Sequence, residues 1–118
     1  MTVLKTIPVA GLALPFFLAA VPMAHAQSGM ASWYALRSRT ACGERMNPSA
    51  LTAAHRTLPC GTMIEVTNRR TGRVVTARVN DRGPFIRGRI VDLSRGAAQH
   101  IGLTASGTAP VNIRVVER

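Results

Sequence analysis

Two runs of alternating apolar and polar residues, Met63-Ile-Glu-Val-Thr-Asn68 and Val74-Val-Thr-Ala-Arg-Val-Asn80, flank Arg69-Arg-Thr-Gly72, and nothing else in the chain constrains its fold as tightly. A period of two places successive side chains on opposite faces of a strand, and the short glycine-containing link closes the pair into a β-hairpin. Gly29-Met-Ala-Ser-Trp-Tyr-Ala35 predicts a first strand on which Trp33 and Tyr34 face opposite sides, one of them toward the core. Arg89-Ile-Val-Asp-Leu93 predicts a short strand, then Ser94 as an N-cap, a helix through Ile101 with Ala97, Ala98 and Ile101 inward, and Gly102 as its stop. A last strand, Val111-Asn-Ile-Arg-Val-Val116, follows a turn at Gly107 and Pro110. Between Arg37 and Gly61 no period persists, and Gly43, Pro48, Pro59 and Gly61 predict a long functional loop with one helical turn around Ser49 to His55. Short strands with little helix and few aromatic residues describe a small, mainly β barrel with closed edges.

The opening of the chain reads as an export leader. Lys5 is followed by an apolar run from Ile7 to Ala20 and then by Ala24-His-Ala26, a small-x-small cleavage pattern. Pro8, Pro15 and Pro22 argue against a membrane span, which needs roughly 20 apolar residues. Residues 1–26 are therefore expected to be a cleaved signal peptide and residues 27–118 a single domain, periplasmic or secreted after cleavage near Ala26. No cysteine lies at the cleavage point to carry a lipid, so no stable membrane anchor is expected. The two cysteines, Cys42 and Cys60, sit in the exported part, where an oxidising compartment permits a disulfide; closing that loop is worth about 3 kcal/mol in the chain-entropy model.

With Lys5 in the leader, every cation of the domain is arginine, and against them the chain has only five acids. Arginine grips carboxylates and phosphates with a planar fork, so the expected partner is anionic. Nucleic-acid binding ranks last. It would need interleaved aromatic residues, and the domain has only Trp33, Tyr34 and Phe85.

Chemistry concentrates in the stretch from Val79 to Ser94, where Asp81 and Asp92 mark the two ends of an arginine-rich loop bent by Gly83, Pro84 and Gly88. Upstream, Glu44 and His55 add a third carboxylate and an imidazole, and the four together point to acid/base work on a polar substrate. His55 and His100 are too far apart for metal-ligand spacing, so neither a metal nor a cofactor is expected.

Six segments in order, Ala31-Ser-Trp-Tyr34, Leu51-Thr-Ala-Ala-His-Arg-Thr-Leu-Pro59, Val66-Thr-Asn68, Val79-Asn-Asp-Arg-Gly-Pro-Phe85, Gly88-Arg-Ile-Val-Asp-Leu-Ser94 and Gly107-Thr-Ala-Pro-Val111, resemble the rare lipoprotein A (RlpA) domain over nearly all of residues 27–118. The resemblance implies a six-stranded double-psi β-barrel with one or two short helices. It also implies lytic transglycosylase activity on peptidoglycan glycan strands, preferentially those stripped of stem peptides. Where the family commonly has Gly, this chain has Ala35. Where it commonly has Ser or Asn, and then Phe, this chain has Cys42 and Cys60, which strengthens the pairing argument. Neither the lipid-anchor site nor the separate glycan-binding repeat domain of many members is expected here.

Such a reaction protonates the leaving oxygen and stabilises an oxocarbenium-like centre, and the sugar's own C6 hydroxyl then attacks C1. One group serves as acid and then base, and the carboxylate spacing rule of hydrolases does not apply. The resemblance favours Asp92 as the acid, with Asp81 orienting substrate or tuning Asp92, Glu44 a second acid/base candidate and His55 a hydrogen-bonding one. Arg82, Arg87 and Arg89 are candidate contacts for the lactyl carboxylate, and Tyr34 and Asn80 for the sugar. The partner is then the glycan strand, and the protein a monomer. The alternative is a non-catalytic, expansin-like module that binds and loosens wall glycan.

Overall fold

The computed structural model describes residues 26–118, so the predicted leader lies outside the described residues apart from Ala26. Six strands, β1 (Ala26–Tyr34), β2 (Thr52–Ala54), β3 (Met63–Asn68), β4 (Val74–Asp81), β5 (Arg89–Ser94) and β6 (Ala109–Glu117), close in the order β1-β5-β2-β4-β3-β6. Two of the neighbouring pairs, β1 with β5 and β2 with β4, run parallel and the rest antiparallel. This is the expected double-psi barrel. Two short helices, α1 (Arg95–His100) and α2 (Leu103–Ser106), lie between β5 and β6.

The interior is filled from alternate positions of each strand. Ile64 and Val66, Ala77 and Val79, Val91 and Leu93, and Val111 and Ile113 meet inside, with Ile101 and Leu103 from the helical segment. Each large side chain so buried stabilises the barrel by roughly 1.5–3 kcal/mol. Trp33 packs against this core while Tyr34 turns outward, as the alternation of β1 requires. Ser94 caps α1 through its hydroxyl, which accepts from the Ala97 N–H at 3.1 Å, and Ala97, Ala98 and Ile101 are buried as expected.

Three sequence expectations need correction. The segment around Ser49 to His55 holds no helical turn; Thr52–Ala54 is instead β2, wedged between β4 and β5. Three residues are too few to show a period, and the helix preference of two alanines yields to ladder bonds with strands distant in sequence. Strand β1 begins at Ala26 rather than Gly29, because its early residues pair with β6. Pro110 belongs to β6 and not to a turn: it pairs with Met30, and its carbonyl accepts from the Arg69 N–H.

The Cys42–Cys60 disulfide forms as expected, tying the loop after β1 to the segment between β2 and β3.

Candidate active site

Ala54 is the reference point of the site. On one side it pairs with Asp81 of β4 and on the other with Asp92 of β5, so both aspartates stand at one level of the barrel wall. Two strand spacings put their Cα atoms about 9.5 Å apart.

A register irregularity between Ala53 and Ala54 decides where Asp81 points. Ala77 and Val79 face inward, and strict alternation would send Asp81 inward after them. Ala53 pairs with Val79 and Ala54 with Asp81, so Asn80 is the extra residue of a β-bulge, and Asp81 emerges on the outer face beside it.

Three donors converge on the Asp81 carboxylate. The Tyr34 hydroxyl donates to Oδ2 at 2.9 Å, and the Ala41 and Arg82 backbone N–H groups donate to Oδ1 at 2.8 and 2.9 Å. Burial, the hydrogen bond to Asp81 and the charges of Asp81 and Asp92 push the Tyr34 phenol far above its ordinary range, so the proton stays on the tyrosine. Asp92, between the inward-facing Val91 and Leu93, is half-buried on the outside of β5. It is hydrogen-bonded through Oδ1 to the Ser32 hydroxyl from the partner position on β1. Among the described residues its Oδ2 has no partner. The helix cap is Ser94, which leaves Asp92 free of that duty.

Glu44 is fully engaged. Arg78 grips it with both terminal guanidinium nitrogens, at 2.8 and 2.9 Å, and the Asn80 amide adds a third bond at 3.1 Å. These bonds hold its carboxyl down at about 2, so it is an anion at neutral pH. Asn80 is only 1% exposed, and its own amide oxygen has no partner.

His55 is also committed. The Thr57 and Leu58 N–H groups both donate to Nδ1 at 3.1 Å, so Nδ1 carries a lone pair and the Nε2–H donates to the Gln27 side chain at 3.0 Å. Burial, with the nearby charges of Arg56 and Arg82, pushes its pKa below the ordinary histidine value and keeps the ring neutral. Its backbone N–H donates to the Asp81 carbonyl, so His55 orders the strand end that presents Asp81. Arg82 works the same way: its guanidinium donates to the His55 and Leu58 carbonyls at 3.0 and 2.6 Å and lies 3.8 Å from the Cys60 sulfur. Arg87 is exposed and Arg89 half-buried, and among the described residues neither is paired with a carboxylate.

The structure therefore gathers Asp81, Asp92 and Tyr34 on one face, with Glu44 and Asn80 alongside on the loop and bulge. Ser32, Arg78 and Gln27 were missed from the sequence. Alternation held the signal for the first two, since Ser32 shares a strand face with Tyr34 and Arg78 with Asn80. Among the described residues no cluster of His, Cys, Asp and Glu is placed to hold a metal ion.

Residues 26–113 match the family described as lytic transglycolase. The chain belongs to the lytic transglycolase family. Curated relatives agree with this membership. The chain is 62% identical over 79 residues to the probable endolytic peptidoglycan transglycosylase RlpA of Nostoc sp., an alignment covering 67% of the chain and 21% of that protein. It is 52% identical over 104 residues to the Synechocystis sp. protein of the same name (86% and 32%). Against the endolytic peptidoglycan transglycosylase RlpA of Campylobacter jejuni it is 49% identical over 104 residues (86% and 38%). The chain thus spans roughly a fifth to two fifths of these lytic transglycolase relatives. Solved structures share the barrel: a Streptomyces papain inhibitor (TM-score 0.67, 23% identity, covering 83% of this chain and all of that one) and a Clavibacter michiganensis expansin (0.63, 22%, 78% and 50%).

Proposed function

We propose that the chain is a lytic transglycosylase that cleaves the MurNAc-β-1,4-GlcNAc bond of peptide-poor peptidoglycan strands and leaves 1,6-anhydro-MurNAc ends. The observation that carries this reading is the division of labour around Ala54, where Asp81 is saturated with donors and Asp92 keeps one oxygen open. Asp92 gives its proton to the glycosidic oxygen as the C1–O bond breaks. Asp81, fixed by Tyr34 and two backbone N–H groups, places negative charge near the developing oxocarbenium. The C6 hydroxyl of MurNAc then attacks C1, and its proton passes to the Asp92 carboxylate, restoring the acid; no water is consumed. Arg87 and Arg89 supply cations for the lactyl carboxylate.

Glu44 and His55 build the site in this reading and do not exchange protons, since both are locked in hydrogen bonds. The relatives' names support cleavage within strands rather than at their ends. The reading includes export by the residue 1–26 leader and a monomeric barrel without free edges. Incubation with denuded glycan strands, followed by mass spectrometry of the products, tests it: anhydro ends are expected. Ordinary reducing ends would mean hydrolysis, and no new ends would favour the expansin-like binding module.

A further inference from the structure

Phe85 stands 77% exposed and Ile86 55% exposed on the β4–β5 loop, a few residues beyond Asp81, and the hydrophobic core uses neither. An aromatic ring left in water next to a site is a candidate contact for a ligand with an apolar face. The ring leans back over the loop. Gly83 adopts φ +116°, and the Phe85 ring folds back over it, 3.5 Å from where a Cβ would stand. Two and four positions further along the chain come the exposed Arg87 and the half-buried Arg89. Of the described acids, Glu44 is taken by Arg78 and Glu65 by Arg114. Asp81 and Asp92 are held by Tyr34 and Ser32 on the barrel face, Glu117 ends β6, and among the described residues no carboxylate is paired with these two cations.

We propose that Phe85, supported by Ile86, is a sugar-stacking platform forming a subsite of the groove, and that Arg87 reads the carboxylate of the ring stacked there. The proposal rests on the glycan reading above. A β-linked pyranose with equatorial substituents presents flat faces of axial C–H groups, which match an aromatic face, and a lactyl ether puts an anion at the ring's edge. Phe85 and Arg87, two positions apart, offer both complements from one loop.

The test uses the full chain and two ligand series, denuded glycan strands and N-acetylglucosamine oligomers, which share the pyranose face but lack the lactyl carboxylate. Because Phe85 is exposed, Phe85→Ala should leave the thermal midpoint unchanged. It should weaken binding of both series about tenfold and raise KM with kcat nearly constant, while Phe85→Trp restores both. Arg87→Gln should weaken binding of the lactyl-bearing strands alone. Binding is measured with Asp92→Asn as the background, so that it does not depend on turnover. Unchanged affinity and KM in Phe85→Ala would overturn the subsite even if anhydro ends are still released. Loss of affinity in Phe85→Ala with no anhydro ends from the parent chain would keep the subsite and remove the transglycosylase reading.

Discussion

Ser32 and Tyr34 lie on the same face of β1, and each donates its hydroxyl to a different aspartate. That difference sets the first two expectations. Asp92→Asn should lower the release of anhydro ends at least about a hundredfold with the fold intact, the loss typical of a missing general acid. Tyr34→Phe keeps the ring and removes one charge-assisted bond to Asp81, so kcat should fall about tenfold or more while KM stays close to its parent value. An unaltered kcat in Tyr34→Phe would remove Asp81 from the chemistry. Motif reading singled out Asp81 and Asp92, at the two ends of a loop of turn residues, with Tyr34 and Asn80 as candidate substrate contacts. It did not find that Arg82 spends its guanidinium on the His55 and Leu58 carbonyls, or that Glu44 is held by Arg78. Sequence supplies a residue's charge but not its partner, and these partners lie 24 to 34 positions away.

Among the elements, β2 and the helix after β5 depend on the loop between β1 and β2. The Gly96 N–H donates to the Pro48 carbonyl at 2.8 Å, and a Cβ at Gly96 would stand 2.6 Å from the Ser49 carbonyl oxygen. Backbone cannot swing away as a side-chain tip can. Gly96→Ala should therefore destabilise the fold by about 1–3 kcal/mol, the range for overpacking a filled site, read as a lower urea midpoint. Replacing Cys42 and Cys60 together by Ser should cost about 3 kcal/mol through the reopened loop, of sequence separation 18. The hairpin, β5 and the capped helix were legible because their signals are local. The shortest strand and the bulge at Asn80 were not, since both arise from pairing across the barrel, and a bulge leaves no composition of its own.

At the scale of the whole molecule, acid weakens the fold through two groups. Glu44 has a folded pKa of about 2 against an ordinary 4.5, so its contribution is complete above 4.5 and drains away as pH falls toward 2. His55 has its pKa lowered from 6.5, so below that value the unfolded chain takes up a proton that the folded one refuses, and stability again declines with acid. Urea midpoints should hold near neutrality, begin to fall below pH 6.5 and fall further below 4.5; Glu44→Gln should remove the second decline. Excess arginine with few acids should also make glycan affinity fall as salt rises. The pairing of one alanine with two aspartates carries further. The gap between the two aspartates is measured out by ladder bonds of the barrel wall, whereas Phe85 and Arg87 hang on a loop. Warming should therefore slacken the grip on the polymer before it disturbs the proton transfer, and a temperature series would show saturation failing while turnover at saturating strand still climbs.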